Sequence, residues 1–443
     1  MAEILVNGGN RLQGEIPVSG AKNAALPLMA VTLLTDEPVT LRNCPDLDDI
    51  ATLSNVLRGH GTSVDASGLG LTVAGETASG SARDSLPTLR LHTPEIASIR
   101  APYELVSQMR ASILVLGPLM ARMGRAEVSL PGGCAIGSRP VDLHLMGLEA
   151  LGARIELRDG YVFAETARGG KDRLRGAKIT FPKVSVGATE NLVMAAMLAE
   201  GRTELLNAAQ EPEVVDLCHC LTAMGAQISG IGTSHLIIDG VERLGGVTHQ
   251  VVADRIEAGT FAVAAGMTGG ELILKNGRLD HLGSLVGALD EAGIVCSEIS
   301  GGIHVVSTVD RPRAVSVTTQ PYPGFPTDLQ AQIMSLMVMA EGSAVLTETI
   351  FENRYMHVPE LIRMGANIDI NGRVAVVRGV ERLNGAPVKA SDLRASASLI
   401  LAGLVAQGET RLSDIHHLDR GYERIEDKLR GVGASIERLD GAT

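Results

Sequence analysis

Two kinds of helix-length pattern recur along the chain. In the first, small and aliphatic residues fill a stretch with no polar face, which then meets a glycine and a short alternating strand. LVMAAMLAEGRTELLNAA (192–209), FAVAAGMTGGELILKNG (261–277), SLMVMAEGSAVLTETI (335–350) and LILAGLVAQGETRLSDI (399–415) follow this form. Helices apolar on every side belong inside a core. In the second pattern, a Leu-x-x-x-Gly phrase ends a helix that is charged on one side. It spans Leu57–Gly61, Leu148–Gly152, Leu221–Gly225, Leu289–Gly293, Leu361–Gly365 and Leu429–Gly433. Glycine just past a helix, followed by alternating Ile or Val, predicts a helix-to-strand turn with that helix on the outside.

The six glycines lie 91, 73, 68, 72 and 68 residues apart, so the chain reads as six copies of one β-α-β-α-β-β unit. Each unit has one buried and one exposed helix. Three units can close around three buried helices, and two such groups make two domains. Counting repeats puts the divide near residues 240–255. The long first interval has a visible source in residues 75–95, GETASGSARDSLPTLRLHTPE, which read as an inserted surface loop or hairpin extension.

Composition narrows the class. A chain of 443 residues exceeds what one core usually serves. Aromatics are 2% with no Trp, so the core is aliphatic and alanine-rich. The net charge of −12 argues against general attraction to nucleic acid or anionic membrane, so any basic cluster is local and made for a small anion. There is no basic N-terminal segment leading into an apolar run and no run of membrane-spanning length, which reads as a soluble, cytoplasmic protein. The five cysteines, Cys44, Cys134, Cys218, Cys220 and Cys296, form no C-x-x-C pair. Cys218-His219-Cys220 cannot all face one ion, so these are read as partly buried helix residues and not as a metal site.

Charged or strongly polar groups stand at the entry to each all-apolar helix: Lys22-Asn23, Arg110, Lys183 to Thr189, Asp254-Arg255, Asp328, and Asp392 with Arg394. Asp392, Ser112 and Asp254 suit helix caps. Lys22, Arg110, Arg255 and Arg394 oppose the helix dipole, and a bound anion would offset that cost. Pro27 fits its helix if it lies in the first turn. The loop LPGGCAIGSRPVDLH (130–144) presents a thiol, Cys134, five residues before Arg139.

These stretches, with GAKNAALP (20–27), QMRASI (108–113), KVSVGAT (183–189), DRIEAGTF (254–261), FPTDLQAQ (325–332), ENRYMHVPEL (352–361), DLRASAS (392–398) and DRGYERIEDKL (419–429), resemble the UDP-N-acetylglucosamine enolpyruvyl transferases of the EPSP synthase superfamily. The resemblance implies an α/β fold of two inside-out barrel domains built from six βαβαββ-type repeats. It assigns 22–252 to an N-terminal domain and 1–21 plus 253–443 to a C-terminal one, with the active site in the cleft between them. The implied reaction moves the enolpyruvyl group of phosphoenolpyruvate to the 3′-hydroxyl of UDP-N-acetylglucosamine and releases phosphate, opening peptidoglycan synthesis. No metal or other cofactor is implied, and no nucleic-acid or membrane partner.

By the same resemblance, Lys22, Asn23, Arg139, Arg394 and Arg420 take phosphoenolpyruvate. Asp328 is the base and Cys134 the acid and loop nucleophile, the group that fosfomycin alkylates. Asn23, Arg110, Arg139, Pro140, Val141, Asp142 and Leu143 meet the nucleotide sugar, as do Lys183, Ser185, Val186, Gly187 and Asp328. Ile350 and Phe351 form the far wall of the sugar pocket. Arg354 and Asp392 support the site, with Glu211 and Arg255 as weaker members. Two alternatives stand beside this: a 3-phosphoshikimate 1-carboxyvinyltransferase and a non-catalytic UDP-sugar-binding paralogue. The Cys134 loop and the RPVDL run favour a nucleotide sugar over the first. The presence of Lys22, Cys134 and Asp328 weighs against the second.

Overall fold

The structure is a computed structural model and describes residues 2–69, 86–107, 109–130 and 141–439. It divides into two compact units, one of residues 2–19 and 253–439, the other of the described residues from 20 to 252.

Twelve helices among the described residues carry the repeat. They are α1 Lys22–Ala30, α2 Asp48–Gly59, α3 Leu116–Met123, α4 Asp142–Ala150, α5 Val186–Ala196, α6 Pro212–Ala223, α7 Arg255–Met267, α8 Gly283–Ala292, α9 Gln330–Val338, α10 Val358–Arg363, α11 Leu393–Val405 and α12 Ile425–Gly431. The odd-numbered helices are the all-apolar ones. α5 buries Ala188 through Ala196 without a break, and α11 buries Arg394 through Leu404. The even-numbered helices are amphipathic: α8 buries Leu285, Ala288, Leu289 and Ala292, a single stripe at helical spacing. All six Leu-x-x-x-Gly glycines, 61, 152, 225, 293, 365 and 433, have φ between 92° and 104°. Side chains rarely adopt that left-handed backbone, so glycine there ends the outer helix and turns the chain into its strand.

Among the described residues the strands form six four-stranded sheets, one for each repeat. Lys178–Thr180 runs parallel to Arg202–Leu206, which pairs antiparallel with His235–Asp239. Three strands exchange places across the chain. Gln13–Pro17 runs parallel to Glu271–Lys275, Val247–Gln250 runs parallel to Val39–Arg42, and Glu3–Asn7 lies between Glu409–Ser413 and Ser435–Leu439. The division therefore falls after Ser19 and after Val252, two residues earlier at the first point than the boundary expected at 21/22.

Buried polar groups hold the chain at these points. Ser19 N donates to Glu257 Oε2 at 2.7 Å, and Lys428 Nζ donates to Glu257 Oε1 at 2.6 Å. A Cβ on Gly20 would lie 1.8 Å from the Asn43 carbonyl oxygen, so only glycine allows this approach. Arg173 donates to the Leu198 and Val241 carbonyls, and Arg311 does the same for Met339 and Val380. Each guanidinium thereby satisfies a carbonyl just past a buried helix, Leu198 or Met339, together with one that follows a strand. No helix among the described residues is long and apolar enough to cross a membrane.

Three expectations change. Pro27 is the sixth residue of α1, beyond its first turn, and its missing N–H removes the bond that would run to the Asn23 carbonyl. Ser112 is not a cap: it is buried within the 3-10 turn Arg110–Val115, and its hydroxyl has no hydrogen-bond partner. Of the 75–95 stretch, residues 75–85 lie outside the described residues, but Thr88–His92 is an integral strand. It pairs with Val39–Arg42 on one side and Ser63–Ser67 on the other, because Leu89 and Leu91 alternate into the core.

Candidate active site

In the unit holding residues 253–439, the chemistry gathers where α9 and α11 begin. Asp328 sits in the 3-10 turn Thr327–Leu329 that leads into α9. Its Oδ1 accepts from Arg354 Nη2 at 2.7 Å and its Oδ2 from Arg394 Nη2 at 3.3 Å. The guanidiniums are almost wholly buried, at 4% and 3% side-chain exposure, while Asp328 keeps 26%. Two buried cations thus flank a carboxylate that is part-exposed to solvent.

Arg394 follows the N-cap of α11. Asp392 Oδ1 accepts from the backbone N–H groups of Arg394 and Ala395 at 2.9 and 3.1 Å, so Asp392 caps the helix and fixes the backbone from which Arg394 extends. The Arg394 guanidinium lies 5.4 Å above the Tyr422 ring. Burial works against its charge, but Asp328, Tyr422 and Asp254 outweigh this and hold its pKa above the ordinary arginine value. Its Nε and Nη1 have no hydrogen-bond partner among the described residues. A buried guanidinium with an unused edge is a receptor for an oxyanion. Arg420 lies close enough to His417 to depress its pKa, after the larger effect of burial, while Asp392 acts on His417 in the opposite sense. His357, wholly buried beside Asp392 and Arg354, is held neutral chiefly by burial.

Ile350 and Phe351 join the same group. Phe351 lies under the Arg354 guanidinium at 5.6 Å, and the buried Glu348 accepts from both the Ile350 and Phe351 amides. The weaker candidate Arg255 begins α7, with its guanidinium 5.7 Å from the Tyr322 ring. Asp254 caps that helix.

The other unit assembles a second group. Lys22 opens α1 and is buried, with Nζ 3.1 Å from Asp49 Oδ2 in the first turn of α2. Asn23, next along, is half-buried. The cations at two helix starts thus have carboxylate partners inside the protein, Asp49 for Lys22 and Asp328 for Arg394. Those carboxylates supply part of the offset that the sequence reading assigned wholly to a bound anion.

Val141 to Leu143 begin α4, and Ser185 caps α5, its hydroxyl accepting from the Ala188 N–H. These two starts meet at His144. A Cβ on Gly187 would lie 3.6 Å from His144 Cε1, and Arg110 is near enough to act on the same imidazole. Burial first, then Arg110, lowers His144 to about 4, with Asp142 opposing. Asn191 Nδ2 donates to His144 Nδ1 at 2.9 Å, while its Oδ1 accepts from the Gly117 N–H at 2.6 Å. This amide ties α5 to α3 and α4. Lys183 is exposed beside this group. Glu211 precedes α6 in a buried trio with Glu190 and Glu213, and burial followed by these two neighbours raises Glu190 well above the carboxylate range. Cys134, Arg139 and Pro140 lie outside the described residues.

Sequence reasoning passed over Asp49, Glu348, Asn191 and Tyr422. Asp49, Asn191 and Tyr422 act through partners distant in the chain, and no local spacing signals such a contact. Glu348 had a local signal: a carboxylate directly after an apolar strand, just before the Ile350-Phe351 pair whose amides it holds.

The solved enolpyruvyl transferase NikO from Streptomyces tendae superposes with a TM-score of 0.85, covering 100% of this chain and 99% of its own at 24% identity. That likeness defines the class by fold: two groups of three βαβαββ units, as in an enolpyruvyl transferase. Residues 6–429 match the family model described as EPSP synthase (3-phosphoshikimate 1-carboxyvinyltransferase). The UDP-N-acetylglucosamine 1-carboxyvinyltransferase of Rhodospirillum centenum is 56% identical over 439 residues, 99% of each chain. The protein of the same name from Novosphingobium aromaticivorans is 56% identical over 442 residues, with both chains covered at 100%. The chain belongs to the EPSP synthase family, in the group whose members carry the name UDP-N-acetylglucosamine 1-carboxyvinyltransferase, and it is an enzyme.

Proposed function

We propose that the protein transfers the enolpyruvyl group of phosphoenolpyruvate to the 3′-hydroxyl of UDP-N-acetylglucosamine with release of phosphate, as an early step of bacterial cell-wall synthesis. The observation that carries this reading is the Asp328 group. A part-exposed carboxylate is held beside a buried arginine, Arg394, whose Nε and Nη1 have no hydrogen-bond partner among the described residues. Asp328 takes the proton of the sugar hydroxyl, whose oxygen adds to C2 of phosphoenolpyruvate. Cys134 supplies a proton to C3, giving a tetrahedral intermediate. That intermediate loses phosphate from C2 and a proton from C3, which restores the vinyl group.

Arg394, Arg420, Arg139 and Lys22 hold the carboxylate and phosphate of phosphoenolpyruvate. Cations preorganised in a low-dielectric site stabilise the charge that develops as phosphate departs. Asn23, Arg110, residues 139–143 and residues 183–187 take the nucleotide, while Ile350 and Phe351 face the sugar. Arg354 and Asp392 act through Asp328 and Arg394, Arg354 by holding the carboxylate and Asp392 by fixing the helix start. Small soluble substrates, with no nucleic acid or membrane, suit the net charge of −12 and a cytoplasmic location. Fosfomycin, a small phosphonate epoxide, is then expected to alkylate Cys134. The test is phosphate release, which should need both substrates and should not occur when 3-phosphoshikimate replaces the nucleotide sugar.

A further inference from the structure

Glu348 is 1% exposed, yet it directly follows the strand Ser343–Thr347 beside the candidate site. Four donors converge on its carboxylate, and none is charged. Oε1 accepts from the Thr319 hydroxyl at 2.9 Å, the Ile350 N–H at 2.7 Å and the Phe351 N–H at 3.0 Å. Oε2 accepts from the Thr327 hydroxyl at 2.9 Å. The two oxygens therefore serve different segments. One holds the backbone of the 350–351 wall, and the other holds the residue directly before Asp328.

Taking a carboxylate out of water is costly unless its lone pairs are filled, and here hydrogen bonds alone fill them. The Thr319 hydroxyl is fixed in turn, since it also accepts from the Thr349 N–H at 2.9 Å. Asp328 itself makes no bond to Glu348, and the two guanidiniums on it fix its carboxylate but not the turn that carries it. The Thr327 bond supplies that second constraint.

We propose that Glu348 is a positioning residue for the reaction: its Oε2 sets the turn bearing Asp328, and its Oε1 sets the wall that receives the sugar. This rests on the function proposed above, in which Asp328 is the base and residues 350–351 face the sugar. The two-oxygen arrangement predicts separable effects. Thr327→Val removes only the Oε2 bond at nearly constant shape. Glu348→Gln leaves one oxygen, which the three donors on the wall side will hold, so the amide faces Thr327 and can donate to its hydroxyl in place of the original bond, and turnover should stay within about threefold of wild type. Thr327→Val has no such replacement and should lower kcat with little change in KM for the nucleotide sugar. A displacement on the order of 1 Å at a reacting group can cost about 100-fold, so a loss of roughly 10- to 100-fold is expected. Both variants act on this one contact, so adding Glu348→Gln to Thr327→Val should cost little more than Thr327→Val alone. Thr327→Ser keeps the hydroxyl and should restore turnover. Thr319→Val touches the wall side and should raise KM for the nucleotide sugar instead.

The experiment is steady-state phosphate release on these five variants, with thermal unfolding as a check on folding, and hydrogen exchange of the Ile350 and Phe351 amides in Thr327→Val and in a sixth variant, Glu348→Ala. In Glu348→Ala those amides should exchange faster than in wild type, and in Thr327→Val they should not. A double variant much slower than Thr327→Val, a kcat within about threefold of wild type for Thr327→Val, or unchanged exchange in Glu348→Ala would each overturn the proposal. A wild-type enzyme that releases no phosphate from this substrate pair overturns the proposed function instead, and the exchange arm still decides whether Glu348 holds the wall.

Discussion

Replacing Asp328 with Asn separates its chemical role from its structural one. The substitution keeps the shape and one carbonyl oxygen but removes the charge shared by Arg354 at 2.7 Å and Arg394 at 3.3 Å. Both guanidiniums are then left buried without their counter-ion. Breaking a buried pair by removing one partner costs about 3–5 kcal/mol. Asp328 retains 26% exposure, so water partly replaces it, and the lower end of about 3 kcal/mol applies here. For a unit of about 200 residues that corresponds to a fall in Tm of roughly 6–12 °C. Loss of a general base slows turnover by about 10²–10⁴. The assay pairs phosphate release at a temperature well below both transitions with calorimetric binding of UDP-N-acetylglucosamine. The expected result is a folded protein that still binds the nucleotide sugar, unfolds earlier and turns over at least 100-fold more slowly. Turnover within a few-fold of wild type, with the Tm lowered, would show that Asp328 serves only the ion pairs, and the proton route proposed for it would be wrong.

Other outcomes follow from burial. Cys44, Cys218 and Cys220 are buried, and burial pushes the thiols of Cys218, Cys220 and Cys296 up to about 12, so an epoxide or maleimide should modify Cys134 alone. Mass spectrometry should find that modification accelerated by UDP-N-acetylglucosamine and slowed by phosphoenolpyruvate; label spread over the other four would contradict it. His144 titrates near 4 when folded and near 6.5 when unfolded, so the unfolded chain binds more protons between those values. Stability should therefore fall as pH drops from 6.5 to 4, by about 3 kcal/mol from this residue. His144→Gln should flatten that part of the denaturation profile, and an unchanged slope would remove His144 as its source.

The architecture was largely legible in the sequence because it is repeated. Six glycines at a spacing of 68 to 91 residues, each ending an amphipathic helix, are a pattern that no single unit could make convincing. The alternation of buried and exposed helices followed from the absence or presence of a polar face, as α5 and α8 illustrate. Strand exchange was not legible in periodicity, since Gln13–Pro17 and Val247–Gln250 look alike as strands and only pairing says which sheet each joins. The strand Thr88–His92 was missed because its Ser- and Pro-rich surroundings hid a short Leu-x-Leu alternation.

At the site, residues at helix starts were visible as charges in awkward places. Lys22 and Arg394 were rightly singled out as opposing the dipole, but their carboxylate partners, 27 and 66 residues away, carry no local sign. Asn191 and Tyr422 belong to the same class of tertiary contact: they shape the site from behind, and a reading of neighbours along the chain does not reach them.

The identity of the reaction is tested by the inorganic phosphate that the purified protein releases from defined substrates. With phosphoenolpyruvate and UDP-N-acetylglucosamine together, phosphate should appear in step with a nucleotide sugar heavier by one enolpyruvyl group. With either substrate alone, or with 3-phosphoshikimate as acceptor, it should not. Turnover with 3-phosphoshikimate in place of the nucleotide sugar, or binding of the nucleotide sugar with no phosphate released, would contradict the account.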